Sequence, residues 1–331
     1  MADGFSMCEL RAGGRGGHRV QWNFIPDVWV PDPLPPRSDA PSRPHPRGYI
    51  RLVTDRTRQD PSEPTPSPAA PATAETTVPN LLPDRSLLRW EILCVLALSL
   101  GAAAISATIT FLGVLTAPES MADQTANLIR SRAENRPWLD LSLQLYAVVF
   151  ALAPVALVVY LLHRTGESAR TVGFDRQRPW FDTWSGLLLA GAIGAGGLVV
   201  YLVSWQLGLT RTIVPSTLEG HWWEMPVLVL QALKNGVLEE VIVVGYLLHR
   251  LGQLGWSPWK AVLASSVLRA FYHLYQGVGM FFGNLVMGLV FGWFYLRYGR
   301  VMPLVVAHTV IDIVAFVGAV YLIGRFDWLP M

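Results

Sequence analysis

Long apolar runs dominate the sequence beyond residue 90. Residues 92–115 contain no charged side chain, and at about 1.5 Å per residue a helix of this length crosses a hydrocarbon layer about 30 Å thick. Because lipid offers no partner for backbone N–H and C=O groups, such a run is expected to be helical. Six further runs follow, at residues 141–162, 184–207, 225–248, 259–275, 277–296 and 301–323. The sequence therefore predicts an all-α polytopic membrane protein with about seven transmembrane helices.

The composition agrees with a bilayer protein and argues against several function classes. Hydrophobic residues make up 52% of the chain and charged residues only 15%, whereas soluble domains have about 25% charged residues. A net charge of +2 gives no basic footprint for nucleic acid. The two cysteines, Cys8 and Cys94, lack the spacing of a disulfide framework or a cysteine metal site. The lipid bilayer is an expected partner, and nucleic acid is not.

Residues 1–85 differ from the remainder. They hold most of the 24 prolines, mix Arg with Asp and Glu, and include a low-complexity stretch at residues 61–79. A segment of this composition buries too little apolar surface to fold, so a disordered Pro/Arg-rich N-terminal tail is predicted. The rest divides into three N-terminal transmembrane helices within residues 86–220 and four within residues 221–331.

The distribution of Arg and Lys sets the expected orientation. Short connections that would face the cytoplasm carry more of these residues, for example Arg164, Arg170 and Arg300, than those on the other side, for example Arg130 and Arg211. The positive-inside rule then predicts a cytoplasmic N-terminus and an external C-terminus in the cell (plasma) membrane. Arg greatly outnumbers Lys, and Ala, Gly and Pro are abundant, which indicates a bacterial genome rich in G and C.

Several ionisable side chains lie inside three of the apolar runs. A charge at the bilayer centre costs about 2.5 to 3.5 kcal/mol on insertion scales, so it needs a partner, a water-filled cavity or a function. The residues are Glu239 and Glu240 in the fourth run, Arg269 and His273 in the fifth, and His308 and Asp312 in the seventh. We expect these three helices to form one polar chamber that opens to the cytoplasm.

Residue spacing predicts which side chains share a helical face. Arg269 and His273 are four residues apart, as are His308 and Asp312, so each pair presents both side chains to one neighbour. Adjacent positions on a helix differ by about 100°. Only one of Glu239 and Glu240 is therefore expected to face a given partner squarely.

The expected chamber contains the groups that amide hydrolysis requires. A glutamate partly desolvated in the membrane becomes a usable general base near neutral pH, and Glu239 is the candidate for activating a water molecule. A bound zinc ion is the alternative, with His273, His308 and Glu239 as ligands, because two imidazoles and a carboxylate form a catalytic zinc site. The residues do not decide between the zinc-dependent and metal-free mechanisms.

The first polar site resembles a motif of the CAAX prenyl endopeptidase and bacteriocin-processing family, also called the CPBP or Abi family of intramembrane proteases. That motif is a Glu-Glu pair, three variable residues and an Arg. This sequence has Glu239 and Glu240 but Val244 at the Arg position. The resemblance makes residues 221–331 a CPBP-like catalytic core of four helices.

The second and third motifs of that family also have counterparts. An aromatic residue with His four positions on corresponds to Arg269 and His273, and His with Asn or Asp four positions on corresponds to His308 and Asp312. The resemblance implies an endopeptidase in which Glu239 and His273 position the water, while His308 and Asp312 form the oxyanion side. It also implies a peptide or membrane-protein substrate.

Two positions depart from the family pattern in a related way. The first motif lacks its Arg at Val244, and an Arg stands at Arg269 where the family usually has an aromatic residue. We hypothesise that Arg269 supplies the missing cation from the neighbouring helix and pairs with Glu240.

Two other function classes are compatible with the same residues. The chain could be a noncatalytic membrane scaffold or immunity-type protein that has the protease fold. It could also be an ion-coupled carrier that uses Glu239 and Asp312 as a relay. Carriers generally show internal repeats, and the first three runs have no counterpart to the polar faces, so the carrier ranks last.

Overall fold

The computed structural model describes residues 84–218 and 220–318. The predicted tail at residues 1–85, apart from its last two positions, lies outside this range, as do the end of the seventh predicted span and the C-terminus. Most of the described chain is helical, as predicted. Its helices are α1 (Arg85–Ala97), α2 (Leu100–Thr116), α3 (Pro137–Ala151), α4 (Ala153–Arg164), α5 (Pro179–Gln206), α6 (Glu224–Glu239), α7 (Leu247–Gln253), α8 (Pro258–Tyr272), α9 (Val278–Tyr298) and α10 (Met302–Ile313).

Three helical segments of the described chain are long and apolar enough to cross a membrane. They are α3 with α4, which together span Pro137–Arg164, and the single helices α5 and α9. A fourth results if α1 and α2, which are bent by 51°, count as one span. The prediction of seven spans is therefore not confirmed. Helix α8, for example, has 15 residues, or about 22 Å at 1.5 Å per residue, and is shorter than a hydrocarbon core of about 30 Å.

The helices that carry the ionisable residues pack against several neighbours. Helix α10 contacts both α5 and α6, and α8 contacts both α2 and α9. Glycines allow two of these contacts to be close: a Cβ at Gly236 would overlap Thr309, and one at Gly288 would lie 2.8 Å from Cα of Ser266. Neighbouring helices thus cover the polar groups, so these helices need not present a continuous apolar surface to lipid.

Local sequence explains several helix boundaries. Proline occupies the first turn of α3, α5 and α8, at Pro137, Pro179 and Pro258, where its missing N–H costs no intrahelical hydrogen bond. Helix α9 ends at Gly299, whose φ of +66° is the left-handed conformation that glycine adopts without a steric penalty. The chain then turns directly into α10.

The helix that contains the two glutamates changes its winding where they lie. Helix α6 passes into a π-helical segment, Glu240–Tyr246, which continues into α7. Every residue of the π-helical segment is buried. Wide turns of this type are rare and occur frequently at functional sites. A second π-helical segment, Val314–Gly318, follows α10.

A short sheet is present that the all-α prediction did not include. Strands β1 (Thr125–Ile129) and β2 (Thr212–Ser216) pair in parallel, with Asn127 opposite Val214. Helices α3, α4 and α5 lie between the two strands in sequence. Pairing across so long a separation leaves no local pattern from which it could be predicted. The sheet joins two connections that the charge rule places outside the cell.

Candidate active site

Both glutamates contact the same two side chains, but only Glu240 faces them at short distance. Oε2 of Glu239 lies 3.4 Å from Nη1 of Arg269 and 4.0 Å from Nε2 of His308. Oε1 of Glu240 lies 2.7 Å from Nη2 of Arg269 and 2.6 Å from Nδ1 of His308. Both glutamates reach the same partners because a guanidinium fork and an imidazole ring each present two nitrogen positions. Two carboxylates that diverge from adjacent helical positions can therefore each reach a different nitrogen of the same partner.

Arg269 is fully buried and holds Glu240 most closely. Its Nη2 lies 2.7 and 2.8 Å from the two carboxylate oxygens of Glu240, and its guanidinium lies 5.6 Å from the centre of the Phe291 ring. The expected pairing of Arg269 with Glu240 is thus present, while Val244 is a buried apolar residue. That Arg269 replaces a cation missing at Val244 stays a hypothesis.

His308 links Glu240 to the remaining acidic residue. Its Nδ1 lies 2.6 Å from Glu240, and its Nε2 lies 3.7 Å from Oδ1 of Asp312. The other oxygen of Asp312 accepts a hydrogen bond of 2.8 Å from Nδ2 of Asn235 on α6. Both carboxylate oxygens of Glu240 already form hydrogen bonds, with Arg269 or His308. Glu240 therefore has the position of a structural counter-ion.

Glu239 has a different environment from Glu240. Its Oε2 accepts a hydrogen bond of 2.7 Å from the Tyr272 hydroxyl, in addition to the longer contact with Arg269. Its Oε1 accepts no hydrogen bond from the described residues, and 10% of the side chain remains exposed. Glu239 therefore keeps one carboxylate oxygen that a water molecule can reach.

Tyr272 is a site residue that the sequence analysis missed. It is buried at the end of α8, and its hydroxyl orients Glu239. The available signal was its position directly before His273, inside the segment that resembles the second motif. Hydrophobic spacing alone gives no reason to single it out, because a tyrosine at this position is also expected of an ordinary core.

His273 follows the last residue of α8 and is half-buried. Its Nδ1 lies 3.1 Å from the carbonyl oxygen of Arg269, which can only accept, so Nδ1 carries the proton in that contact. In the neutral ring Nε2 is then an acceptor. None of the described hydrogen bonds joins His273 to Glu239 or His308.

The ligand atoms that come together differ from the predicted zinc set. Atoms of Glu239, Glu240 and His308 lie within 4.8 Å of one another, and His273 is not in this cluster. The cluster fits zinc poorly, because the positive charge of Arg269 lies against both carboxylates. Nδ1 of His308 and Oε1 of Glu240 are 2.6 Å apart, a hydrogen-bond distance. Two ligands of one tetrahedral zinc, at bond lengths near 2.0–2.2 Å, would be about 3.3 Å apart.

A cavity of about 310 Å³ reaches Tyr272. Residues of α2 and β1 line it, together with Tyr275, Arg130 and Arg211. The two arginines belong to connections that the charge rule places outside the cell. This cavity therefore approaches the candidate site from the side opposite to the predicted cytoplasmic opening.

A larger apolar cavity of about 580 Å³ lies where two helix breaks meet. Leu98 and Ser99 between α1 and α2 line it, as does Ala153 at the start of α4. Leu238, the neighbour of Glu239, forms part of the same lining. The apolar cavity therefore extends to the residue next to Glu239 in the chain.

Two ion-pair clusters brace the side predicted to face the cytoplasm. Arg250 is fully buried and donates to Glu167 at 2.7 Å, while Arg300 lies 2.6 Å from Asp182 and 2.9 Å from Asp175. Burial raises the pKa of Asp175, but hydrogen bonds from Arg300 and from a backbone N–H outweigh it and lower this pKa below its usual value. The clusters tie the connection between α4 and α5 to α7 and to the turn before α10.

Comparison with known proteins gives one match. No curated protein and no solved structure matches the chain. A family model described as type II CAAX prenyl endopeptidase Rce1-like matches residues 221–314. This segment contains all the site residues that the sequence analysis named. The resemblance to the CPBP proteases is thus confirmed over residues 221–314, which match the type II CAAX prenyl endopeptidase Rce1-like family.

Proposed function

We propose that the chain is an intramembrane endopeptidase that cleaves a peptide bond with a water molecule activated by Glu239. The family match supports a CAAX-type intramembrane protease in general. The observation that carries the specific proposal is the asymmetry of the two glutamates. Glu240 is held by Arg269 and His308, whereas Glu239 is fixed through one oxygen and keeps the other free. A fixed carboxylate with one free oxygen has the geometry of a general base.

The reaction can be written with the groups of the site. Oε1 of Glu239 takes a proton from water, and the resulting hydroxide attacks the carbonyl carbon of the scissile bond. The C–N bond of the tetrahedral intermediate then breaks, and the leaving amine receives the proton from Glu239. Tyr272 and Arg269 hold Glu239 in place, and His273, with its Nε2 as acceptor, is assigned to orient the water.

His308 is the best-placed donor for the oxyanion. Three carboxylates, those of Glu239, Glu240 and Asp312, surround it, and among the described residues Arg269 is the one Arg or Lys within 4.0 Å of these carboxylates. If both ring nitrogens of His308 carry a proton, the positive charge of the imidazolium offsets part of the negative charge of these carboxylates. With Nδ1–H donated to Glu240, Nε2–H is then directed between Glu239 and Asp312. A donor fixed there would stabilise the developing negative charge.

The proposed substrate is a peptide or a membrane-protein segment. The larger cavity beside Leu238 supports a substrate with an apolar portion. A location in the cell (plasma) membrane, with a cytoplasmic N-terminus and an external C-terminus, remains part of the proposal and rests on the distribution of arginines.

Proteome-wide mapping of peptide ends tests the proposed function. We expect cells with the wild-type chain to contain new peptide ends that are absent with Glu239→Ala. The matched control is Glu224→Gln, because Glu224 is also a buried carboxylate of α6 but binds Ser216 and Gly220 outside the site. Identical peptide ends in wild-type and Glu239→Ala cells would instead favour the noncatalytic scaffold.

A further inference from the structure

Strand β1 has one edge that faces away from β2. Alternate residues of a parallel strand bond to the neighbouring strand, and Thr212 N–H donates to the carbonyl of Gln124. With Asn127 opposite Val214, this register directs the N–H and C=O of Asn127 to the opposite edge. Neither group has a hydrogen-bond partner among the residues that the structure describes. On the same edge, the carbonyl oxygen of Thr125 accepts a hydrogen bond from Arg211, so the open part of the edge is at Asn127. An open strand edge is a template for pairing with another extended segment.

The outer edge of β2 is closed by contrast. The N–H of Ile213 donates to the hydroxyl of Tyr201 on α5, at 3.1 Å. Pro215 lies two residues further along the same edge and has no N–H to offer. An additional strand can therefore join this sheet at β1 and not at β2.

Two residues of β1, including Asn127, line the same cavity that reaches the candidate site. Ala126 and Asn127 of β1 and Ser106 and Ala107 of α2 contribute to its wall. Tyr272 is also part of that wall, and its hydroxyl binds Glu239. A segment that pairs with β1 inside this cavity would thus be next to the group that positions the proposed base.

Two arginines give the cavity a positive charge that nothing in the described chain neutralises. Arg130 is exposed, and Arg211 is held by the carbonyl oxygens of Thr125 and Tyr275. Neither guanidinium forms an ion pair with a carboxylate of the described residues. Nε of Arg211 is buried without a hydrogen-bond partner. Burial and the nearby charge of Arg130 both lower the pKa of Arg211, as expected of two neighbouring cations that lack an anion.

We propose that the open edge of β1 binds the substrate in an extended conformation as a third strand, and that Arg130 and Arg211 bind a carboxylate of that substrate. This inference rests on the proposed protease function and specifies the substrate class. Backbone pairing provides affinity for any extended peptide, whereas the arginines select for the anionic group. The carboxylate belongs either to the C-terminus or to an acidic side chain.

Peptide binding to the full-length chain tests this inference without requiring turnover. The Glu239→Gln variant, purified in detergent, is titrated with fluorescein-labelled Val-Thr-Val-Thr-Val by fluorescence anisotropy. The peptide is supplied as the free acid, as the C-terminal amide, and as an amide with Asp in place of its last residue. We expect the free acid, the Asp peptide or both to bind about 10-fold or more tightly than the plain amide, as for loss of a charge-assisted hydrogen bond.

The three peptides distinguish the two sources of the carboxylate. Tighter binding of the free acid alone indicates recognition of a C-terminus, and tighter binding of the Asp peptide indicates recognition of a side chain. Equal binding of all three peptides would overturn the role of the arginines. Because cleavage is not measured, failure here is separate from failure of the proposed function, which depends on Glu239.

Variants of the chain and methylated peptides test the two parts of the binding site. Arg130→Gln should weaken binding of the preferred peptide about 10-fold, and Arg132→Gln, an exposed arginine outside the cavity lining, should leave it unchanged. Two peptides are N-methylated, one at the odd-numbered and one at the even-numbered residues. Only one of these two sets of N–H groups can donate hydrogen bonds to β1, so only one of the two methylated peptides should lose binding. Unchanged binding of both methylated sets would refute strand pairing, even if the charge dependence holds.

Discussion

Replacement of Arg269 by methionine should destabilise the protein strongly. The guanidinium is fully buried and lies 2.7, 2.8 and 3.4 Å from carboxylate oxygens of Glu240 and Glu239. Its removal leaves two buried carboxylates without their shared cation. Breaking a buried ion pair by removing one partner costs about 3 to 5 kcal/mol, which corresponds to an unfolding equilibrium shifted by roughly 10² to 10⁴. We expect a loss of this size in the free energy of unfolding.

Reversible unfolding in detergent micelles measures this loss. The matched control is Arg297→Met, because Arg297 is an exposed arginine whose described contact is the ring of Tyr298, and its replacement should change the free energy by less than about 0.5 kcal/mol. Addition of Glu240→Gln to Arg269→Met should recover part of the stability, since one uncompensated charge is then removed. A loss below about 1 kcal/mol for Arg269→Met would refute the assignment of Arg269 as the counter-ion.

A charge exchange tests whether Arg269 replaces the arginine that the family has at Val244. Both positions are buried, and Val244 lies in the π-helical segment that begins at Glu240. If the hypothesis holds, Arg269→Phe combined with Val244→Arg recovers stability and cleavage relative to Arg269→Phe alone. A double variant as impaired as the single variant would show that the two positions are not equivalent.

Three further predictions concern the proposed base, the metal and pH. Tyr272→Phe should lower the cleavage rate about 10-fold or more, through loss of the hydrogen bond that fixes Glu239, and a rate equal to wild type would contradict that role. Cleavage should persist after dialysis against a strong chelator, as measured on the metal-free protein; loss that zinc restores would establish the zinc mechanism. The folded-state pKa of Asp175 is lowered, so the ionised carboxylate stabilises the folded protein. The free energy of unfolding should therefore fall as the pH drops below about 4 and this carboxylate becomes protonated. Asp175→Asn should reduce this dependence in thermal unfolding scans from pH 6 to 3.

Spacing along single helices predicted local relations in the site. The i,i+4 positions of His308 and Asp312 place both side chains against Glu240 and Asn235, as predicted. Those of Arg269 and His273 place the His273 ring against the Arg269 carbonyl, and no described hydrogen bond joins His273 to the glutamates. Both results follow from helix geometry, which depends on nearest neighbours in the chain. The number of membrane spans was predicted less accurately than these local relations. Apolar length was the criterion for all runs except the fifth, which the parity of the connections supported, whereas α6, α8 and α10 pack against other helices.

The amino-acid sequence alone determined the helical character of most of the chain, its membrane class and the ionisable residues that the site contains. Tertiary structure decided how these residues are paired: Glu240 with Arg269 and His308, and Glu239 with Tyr272. It also decided the parallel pairing of β1 with β2, across three intervening helices. Apolar runs and helical spacing are properties of neighbouring residues, so the sequence displays them directly. Contacts between distant segments depend on how the whole bundle packs, and no local pattern encodes them.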